Sequence, residues 1–202
     1  MTTRATRRST HDAPIEDPGS AKRADARRNE RSLLDAAATV FLTRGVDAPV
    51  RAIAAEAGVG MGTIYRHFPT RADLIVAVYR HQVEACASAA TALLESEDSA
   101  YRALAAWLDQ FVDFLVTKHG LAAALQADQA GFEALHAYFL DRLVPACGTL
   151  LRAAAAAGEI RNDVTAFELM RGIGNLCIGA DTAEDYDPRR LARVLIDGLA
   201  RH

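Results

Sequence analysis

The chain has 202 residues, enough for one or two domains, and half of them are hydrophobic. No apolar run approaches the roughly 18 residues that a membrane span needs, and no apolar stretch follows the N-terminal arginines as in a secretory signal. The net charge is −3, but residues 1–67 hold 11 Arg and Lys against 8 Asp and Glu, whereas residues 68–202 hold 12 against 18. A basic head on an acidic body fits a protein that contacts nucleic acid with one end, although compositional drift would give the same asymmetry. We expect a cytoplasmic protein with no membrane segment.

The composition favours an all-α fold. Alanine is abundant, and alternating Val, Ile and Thr runs with turn dipeptides are nearly absent. The pattern predicts about nine helices in three regions. These are a disordered basic arm at residues 1–26, a DNA-binding domain at 27–72 with its motif at about 50–69, and a C-terminal effector-binding and dimerisation domain at 73–202. The arginines of the arm would follow DNA, or the arm is a solvated tail with no role.

The first helix is predicted from Arg27 to Thr43, with its apolar residues at three- and four-residue spacing. Gly45 is expected to end it. Asp47 is expected to cap the second helix, and Pro49 suits the first turn because the N–H that it lacks has no helical partner there.

Residues 50–68 then read as a short helix, a glycine-containing turn and a second short helix, which is the order of a helix-turn-helix. Gly58 can take the positive φ that ends the first of these helices. Ile53 and Ile64 supply an inner face. Thr63, Tyr65, Arg66 and His67 carry groups that hydrogen-bond phosphate oxygens and base edges.

This segment resembles the DNA-binding motif of the tetracycline-repressor (TetR) family of transcriptional regulators. The resemblance covers roughly residues 28–80, and the matching residues are Ile53-Ala54, Ala57-Gly58-Val59, Gly62-Thr63, Tyr65, His67-Phe68 and Leu74. It implies that the chain is a homodimeric, ligand-responsive repressor that binds a palindromic double-stranded DNA operator and is released by an unknown small-molecule effector.

The resemblance also implies roles for single residues of the motif. Thr63, Tyr65 and His67 would bind phosphates, Met61 and Gly62 would approach base edges, and Arg66 would read a base. Arg71 stands where the family usually has Lys, so a phosphate contact is retained there. The chain departs from the family at Val50, where most relatives carry a phosphate-binding Thr, and Arg51 or the helix N-terminus would replace that contact.

The body is predicted to consist of further helices, the first of which is capped by Thr70 and Asp73. Gly120 is expected to break the chain, Pro145 to bend a helix from inside, and Gly158 to end it. The predicted ranges are Arg71–Leu94, Ser99–Lys118, Leu121–Ala130, Phe132–Ala157, Val164–Gly179 and Pro188–Ala200.

In the resembling family the C-terminal bundle encloses an effector cavity. The candidates for its lining are Trp107, Phe111, Phe114, His119, Gln126, Phe139 and Met170. The alternative is that the aromatic residues belong to the core and that the histidines are hydrogen-bonded residues of the bundle. Asp109 and Asp113 are interpreted as solvated, since no feature positions a substrate between them as it would for a general acid and base.

The last two predicted helices are the candidates for a dimer interface. Gly172 and Gly179 lie seven residues apart on one face and would let two helices approach closely. Leu191, Val194 and Leu195 form an adjacent apolar stripe, and in the resembling family the last two helices pair with those of the partner. The alternative is that glycines merely loosen or end the helix.

No cofactor or metal site is expected. Cys86, Cys147 and Cys177 are far apart without ligand spacing and are predicted to be small core residues. A helical enzyme is the first rival function, but the chain lacks a nucleophile–base pair, a phosphate loop or a metal motif. The second rival is an architectural or interaction protein that binds DNA without ligand control.

Overall fold

The computed structural model describes the backbone of residues 18–124, 129–178 and 186–201, and the side chains of residues 25–116, 131–178 and 186–201. Over these ranges the chain forms eight helices and no named strand, which confirms the all-α prediction. The helices are α1 (Pro18–Arg44), α2 (Val50–Ala57), α3 (Met61–His67), α4 (Arg71–Ser96), α5 (Ala100–Ala124), α6 (Gln129–Ala156), α7 (Ala166–Leu176) and α8 (Pro188–Asp197). No described helix combines the length and the apolar character that crossing a membrane demands.

The head consists of α1, α2 and α3. The α1 helix begins at Pro18, earlier than the predicted Arg27, and residues 1–17 of the predicted arm lie outside the described residues. Its predicted apolar face is buried. It ends at Arg44, and Gly45 follows with a φ of 78°, in the left-handed region that glycine adopts without steric cost.

Two capping details in the head region test the sequence interpretation. Asp47 does not cap α2, because the residue at the N-cap is Pro49 and no side chain bonds the first turn. Pro49 therefore lies one position before the predicted one. The N–H that it lacks would not take part in a helical hydrogen bond at this position either. At α4 the capping box is confirmed, since Thr70 accepts from the Asp73 amide and Asp73 accepts from the Thr70 amide.

The helix predicted at Leu121–Ala130 does not exist as a separate element. Residues 121–124 continue α5 through Gly120, and α6 already begins at Gln129, while residues 125–128 lie outside the described residues. A single glycine inside a helix costs only about 1 kcal/mol relative to alanine, and the following Leu and Ala residues favour the helical state. The described residues therefore form eight helices, close to the predicted nine.

The body is built around α5, which contacts α4, α6, α7 and α8. Trp107 is fully buried, stacks on Phe111 with ring centroids 5.4 Å apart, and donates from Nε1 to the Cys86 carbonyl oxygen at 2.7 Å. All three cysteines are buried, as predicted, and burial raises the pKa of Cys86 and of Cys147 to about 12.

Ion pairs attach α8 to α5. Arg193 donates to Asp109 at 3.1 Å, and Arg189 pairs with Asp113. The interpretation of these two carboxylates as merely solvated is therefore wrong: both lie on the side of α5 that faces α8. The sequence did not reveal this because arginines on α8 are distant in the chain and meet α5 only through tertiary packing.

Candidate nucleic-acid interface and ligand cavity

The α2–turn–α3 unit is held from inside by two isoleucines. Ile53 of α2 and Ile64 of α3 are buried almost completely. Between the helices, Gly58 has a φ of 66°, and the Val59 amide donates to the Ala54 carbonyl oxygen at 3.0 Å. This left-handed residue ends α2 and turns the chain into α3, whose residues other than Ile64 are exposed or half-buried.

The outer face of α3 carries the residues predicted to contact DNA. Met61 and Tyr65, one turn apart, are each 51% exposed although their side chains are large. Arg66 and His67 are exposed as well, and Thr63 is half-buried. Large apolar groups left in water on one small helix mark a contact surface more than a packing element.

Two further features of this face suit close approach to a duplex. A Cβ atom added at Gly62 would meet nothing within 4 Å, so that position is open as well as small. Among the described residues, no group bonds the Tyr65 hydroxyl, which is therefore available as a donor.

The two arginines that flank the motif differ in environment. Arg51 is exposed near the N-terminus of α2, while Val50 is half-buried and packs against the core. The guanidinium of Arg71 instead donates to two carbonyl oxygens of the loop before α2, those of Val46 and of Ala48, the latter at 2.8 Å. Arg71 thus ties the start of α4 to the head, a role that the sequence prediction missed.

A cavity of about 260 Å³ lies in the body between α5, α6 and α7. Its wall is mainly apolar and is formed by Phe111, Leu115, Phe139, Leu140, Phe167 and Met170. The polar residues that also line it are His136, Arg171 and Asn175. Gly174 of α7 is part of the lining too and contributes no side chain to it.

An apolar surface remains in water on the last two helices. Val194 is 63% exposed, and Leu191 and Leu195 on the same side of α8 are also exposed. Phe167 on α7 and Ile178 just after its end are exposed as well. Gly172 faces α8, since a Cβ atom there would lie 3.5 Å from Leu195 Cδ2. We call Leu191, Val194, Leu195, Phe167 and Ile178 the α7/α8 surface.

Both halves of the chain match known families. Residues 33–78 match the family described as bacterial regulatory proteins, tetR family. Residues 99–201, half of the chain, match the family described as transcriptional regulator SbtR-like, C-terminal domain. The chain belongs to the TetR family of transcriptional regulators. The helix-turn-helix at α2 and α3 is accordingly a DNA-binding motif, and the resemblance noted from the sequence is confirmed.

Solved TetR structures agree with this assignment over almost their whole length. The TetR transcriptional regulator SCO0520 from Streptomyces coelicolor is 34% identical, with a TM-score of 0.71 and coverage of 85% of this chain and 98% of that chain. A TetR transcription regulatory protein from Mycobacterium vanbaalenii is 33% identical, with a TM-score of 0.69 and coverage of 89% and 99%.

A curated relative, an HTH-type transcriptional regulator of Staphylococcus aureus, is 30% identical over 117 residues. The match spans 57% of this chain and 62% of that protein, which is less than two thirds of its length.

The predicted cavity residues of this TetR protein separate into three groups. Phe111, Phe139 and Met170 line the cavity. Trp107 and Phe114 are buried against other aromatic rings and do not line the cavity. The side chains of His119 and Gln126 lie outside the described residues, as does Gly179 of the predicted dimer interface.

The lining residues that sequence reasoning missed lie mostly on α7. They are Leu115, His136, Leu140, Phe167, Arg171, Gly174 and Asn175. One available signal was the spacing of Phe167, Arg171 and Asn175, which recur every four residues and share one face of a helix.

Proposed function

We propose that this regulator is a homodimeric repressor that binds a palindromic operator through α3 and leaves it when a small molecule enters the body cavity. The observation that carries the DNA part is the outer face of α3, where Met61 and Tyr65 stand in water beside Arg66 and His67. Phosphate-binding and base-reading groups on one exposed helix are what a recognition helix presents to the major groove.

The dimer rests on the α7/α8 surface. Single exposed apolar residues are ordinary, but Leu191, Val194 and Leu195 lie on one side of α8 and form a patch of the kind that proteins cover with a partner. A two-fold axis through this patch would relate two copies of α3. Their half-sites would then lie about one helical turn apart, on the order of 34–36 Å, or a multiple of it.

Helices α4 and α6 would couple ligand binding in the cavity to the DNA-binding head. Arg142 of α6 donates to both carboxylate oxygens of Glu84 on α4, at 2.7 Å and 2.6 Å, and the Tyr138 hydroxyl also donates to Glu84. The hydrogen bonds from Arg142 and Tyr138 lower the pKa of Glu84 and keep it ionised. The same α6 helix lines the cavity, and α4 holds the head loop through Arg71. A shift of α6 on ligand entry would therefore be felt at the head.

The test begins with DNA alone. DNA recovered by selection from a random duplex pool is titrated with the protein by fluorescence anisotropy at several salt concentrations. We expect the selected duplexes to share a near-palindromic site. The logarithm of the association constant should fall linearly with the logarithm of the salt concentration, with a slope on the order of 0.9 per phosphate contact. Arg66→Gln should lose sequence preference, whereas Arg152→Gln, an exposed arginine on α6, should bind as the parent does.

A failure to enrich any sequence, or equal behaviour of the two variants, would remove the proposed role of α3. The rival function is DNA binding without ligand control. It predicts that a compound can bind the protein and raise its melting temperature without changing the anisotropy of the labelled DNA. The cavity is the observation that favours ligand control over that rival.

A further inference from the structure

The cavity wall is mainly apolar and includes one cationic side chain, that of Arg171. Phe167, Arg171 and Asn175 recur at four-residue spacing on α7, and Met170 and Gly174 form the neighbouring row, so two adjacent rows of one helix face the same space. The α5 and α6 walls opposite are mainly aromatic and aliphatic. A ligand that fills this space therefore meets apolar surface along its body and a guanidinium at one edge.

Arg171 differs in its partners from several other arginines of the body. Arg142, Arg161 and Arg193 each bond a carboxylate. In the described parts of the chain no carboxylate pairs with Arg171, although its side chain lines the cavity and is exposed. A guanidinium has a rigid planar set of donors that matches a carboxylate bidentately, and Asn175, one turn further along, adds an amide group beside it.

We propose that the effector of this regulator is a compact amphipathic organic carboxylate, held with its acid group on Arg171 and its apolar body between Phe111, Phe139 and Met170. This inference rests on the proposed function, which says only that a small molecule enters the cavity. A volume of about 260 Å³ lies below the roughly 300–1,000 Å³ of clefts that hold drug-sized ligands, so the acid has one ring or a short chain.

Gly174 offers a way to close the cavity without disturbing the fold. A Cβ atom there would meet nothing within 4 Å, and the residue lies inside α7, where replacing glycine favours the helix. Gly174→Leu therefore fills space that the ligand would use. Gly172→Ala is the matched control, because it is on the same helix but faces Leu195 of α8 at ordinary contact distance.

The experiment uses benzoate, cinnamate and octanoate, each paired with the neutral amide of the same shape, and measures affinity for the full chain by titration calorimetry. At least one acid should bind at least tenfold more tightly than its amide, a difference of about 1.4 kcal/mol. Arg171→Gln should remove this preference and Arg171→Lys should keep part of it. Arg190→Gln, an exposed arginine of α8 outside the lining, should retain it in full.

Gly174→Leu should weaken acid and amide alike by tenfold or more, and Gly172→Ala should bind as the parent does.

Three results would overturn the inference: no acid of the panel binds, an acid and its amide bind equally, or the preference survives in Arg171→Gln. Unchanged binding in Gly174→Leu would place the acid outside the cavity and overturn it too. Apparent mass by light scattering is recorded for each variant, since loss of the dimer in Gly174→Leu would mean that the partner subunit fills this space instead.

Failure here is distinguishable from failure of the proposed function. Operator binding is measured without ligand, so a protein that binds its operator but no acid contradicts only the ligand class. An acid that binds through Arg171 and leaves operator binding unchanged contradicts effector release and leaves the ligand class standing.

Discussion

Arg71→Met is expected to destabilise the head, because Arg71 holds the loop between α1 and α2. Its guanidinium donates to the carbonyl oxygens of Val46 and Ala48, so one side chain satisfies two main-chain acceptors of that loop. Methionine keeps an unbranched apolar stem of similar length and removes both donors. The perturbation therefore isolates the hydrogen bonds from the packing of the stem.

The magnitude follows from the two bonds. A hydrogen bond to a charged group contributes roughly 1.5–3 kcal/mol, but Arg71 is only half-buried, so water replaces part of what is lost. We expect the free energy of unfolding to fall by about 2–3 kcal/mol. For a domain of this size that is a drop of roughly 4–12 °C in Tm.

Calorimetry or far-UV circular dichroism measures the change in Tm, and amide hydrogen exchange at residues 45–48 locates it. Arg51→Met is the matched control, since Arg51 is an exposed arginine of the same head that does not bond this loop. A Tm for Arg71→Met equal to that of the parent, with unchanged exchange in the loop, would refute the structural role. If Arg71→Met is as stable as the parent but its DNA affinity depends less steeply on salt, by about one phosphate contact, the phosphate role predicted from the sequence would be supported instead.

Three other consequences can be measured on the same protein. Tyr65→Phe should weaken DNA binding by roughly 1.5–3 kcal/mol equally for all sequences, because the hydroxyl would donate to a phosphate; unchanged operator affinity would end that assignment. Val194→Asp places a charge on the α7/α8 surface and should shift the protein to monomer in light scattering, with weaker operator binding; a stable dimer would place the interface elsewhere. Burial raises the pKa of Cys86 and of Cys147 to about 12, so the unfolded thiols ionise first as pH rises. The free energy of unfolding should therefore fall above pH 8.5–9, by about 1.5–2 kcal/mol per thiol at pH 10, and an unchanged urea midpoint between pH 8 and pH 10 under reducing conditions would contradict this.

The DNA-binding unit could be predicted from the sequence because its signals are local. Gly58 needs a positive φ, Thr70 and Asp73 bond each other within one turn, and Ile53 and Ile64 are the buried members of short amphipathic helices. A second capping box, Thr165 with Glu168, was equally readable and fixes the start of α7 at Ala166, two residues later than predicted.

The cavity could be predicted only in part because it depends on how whole helices are rotated against each other. Phe111 and Trp107 are both aromatic residues of α5, yet only Phe111 reaches the cavity. Trp107 is instead fixed in the core by its bond to the Cys86 carbonyl. Arg171 looks like an ordinary surface cation in the sequence, and its place in the lining becomes visible only once α7 is packed on α5 and α6.

The measurement that tests the central proposal most directly is a footprint of the ligand-free protein on its selected duplex. Hydroxyl-radical cleavage reports the sugar–phosphate contacts, and methylation of guanine N7 reports the major groove. Two symmetric protected segments about one helical turn apart, or a multiple of it, with major-groove guanines protected in each, are the predicted result. Protection spread evenly along the duplex, or confined to one unpaired segment, would contradict a dimeric regulator that reads DNA through α3.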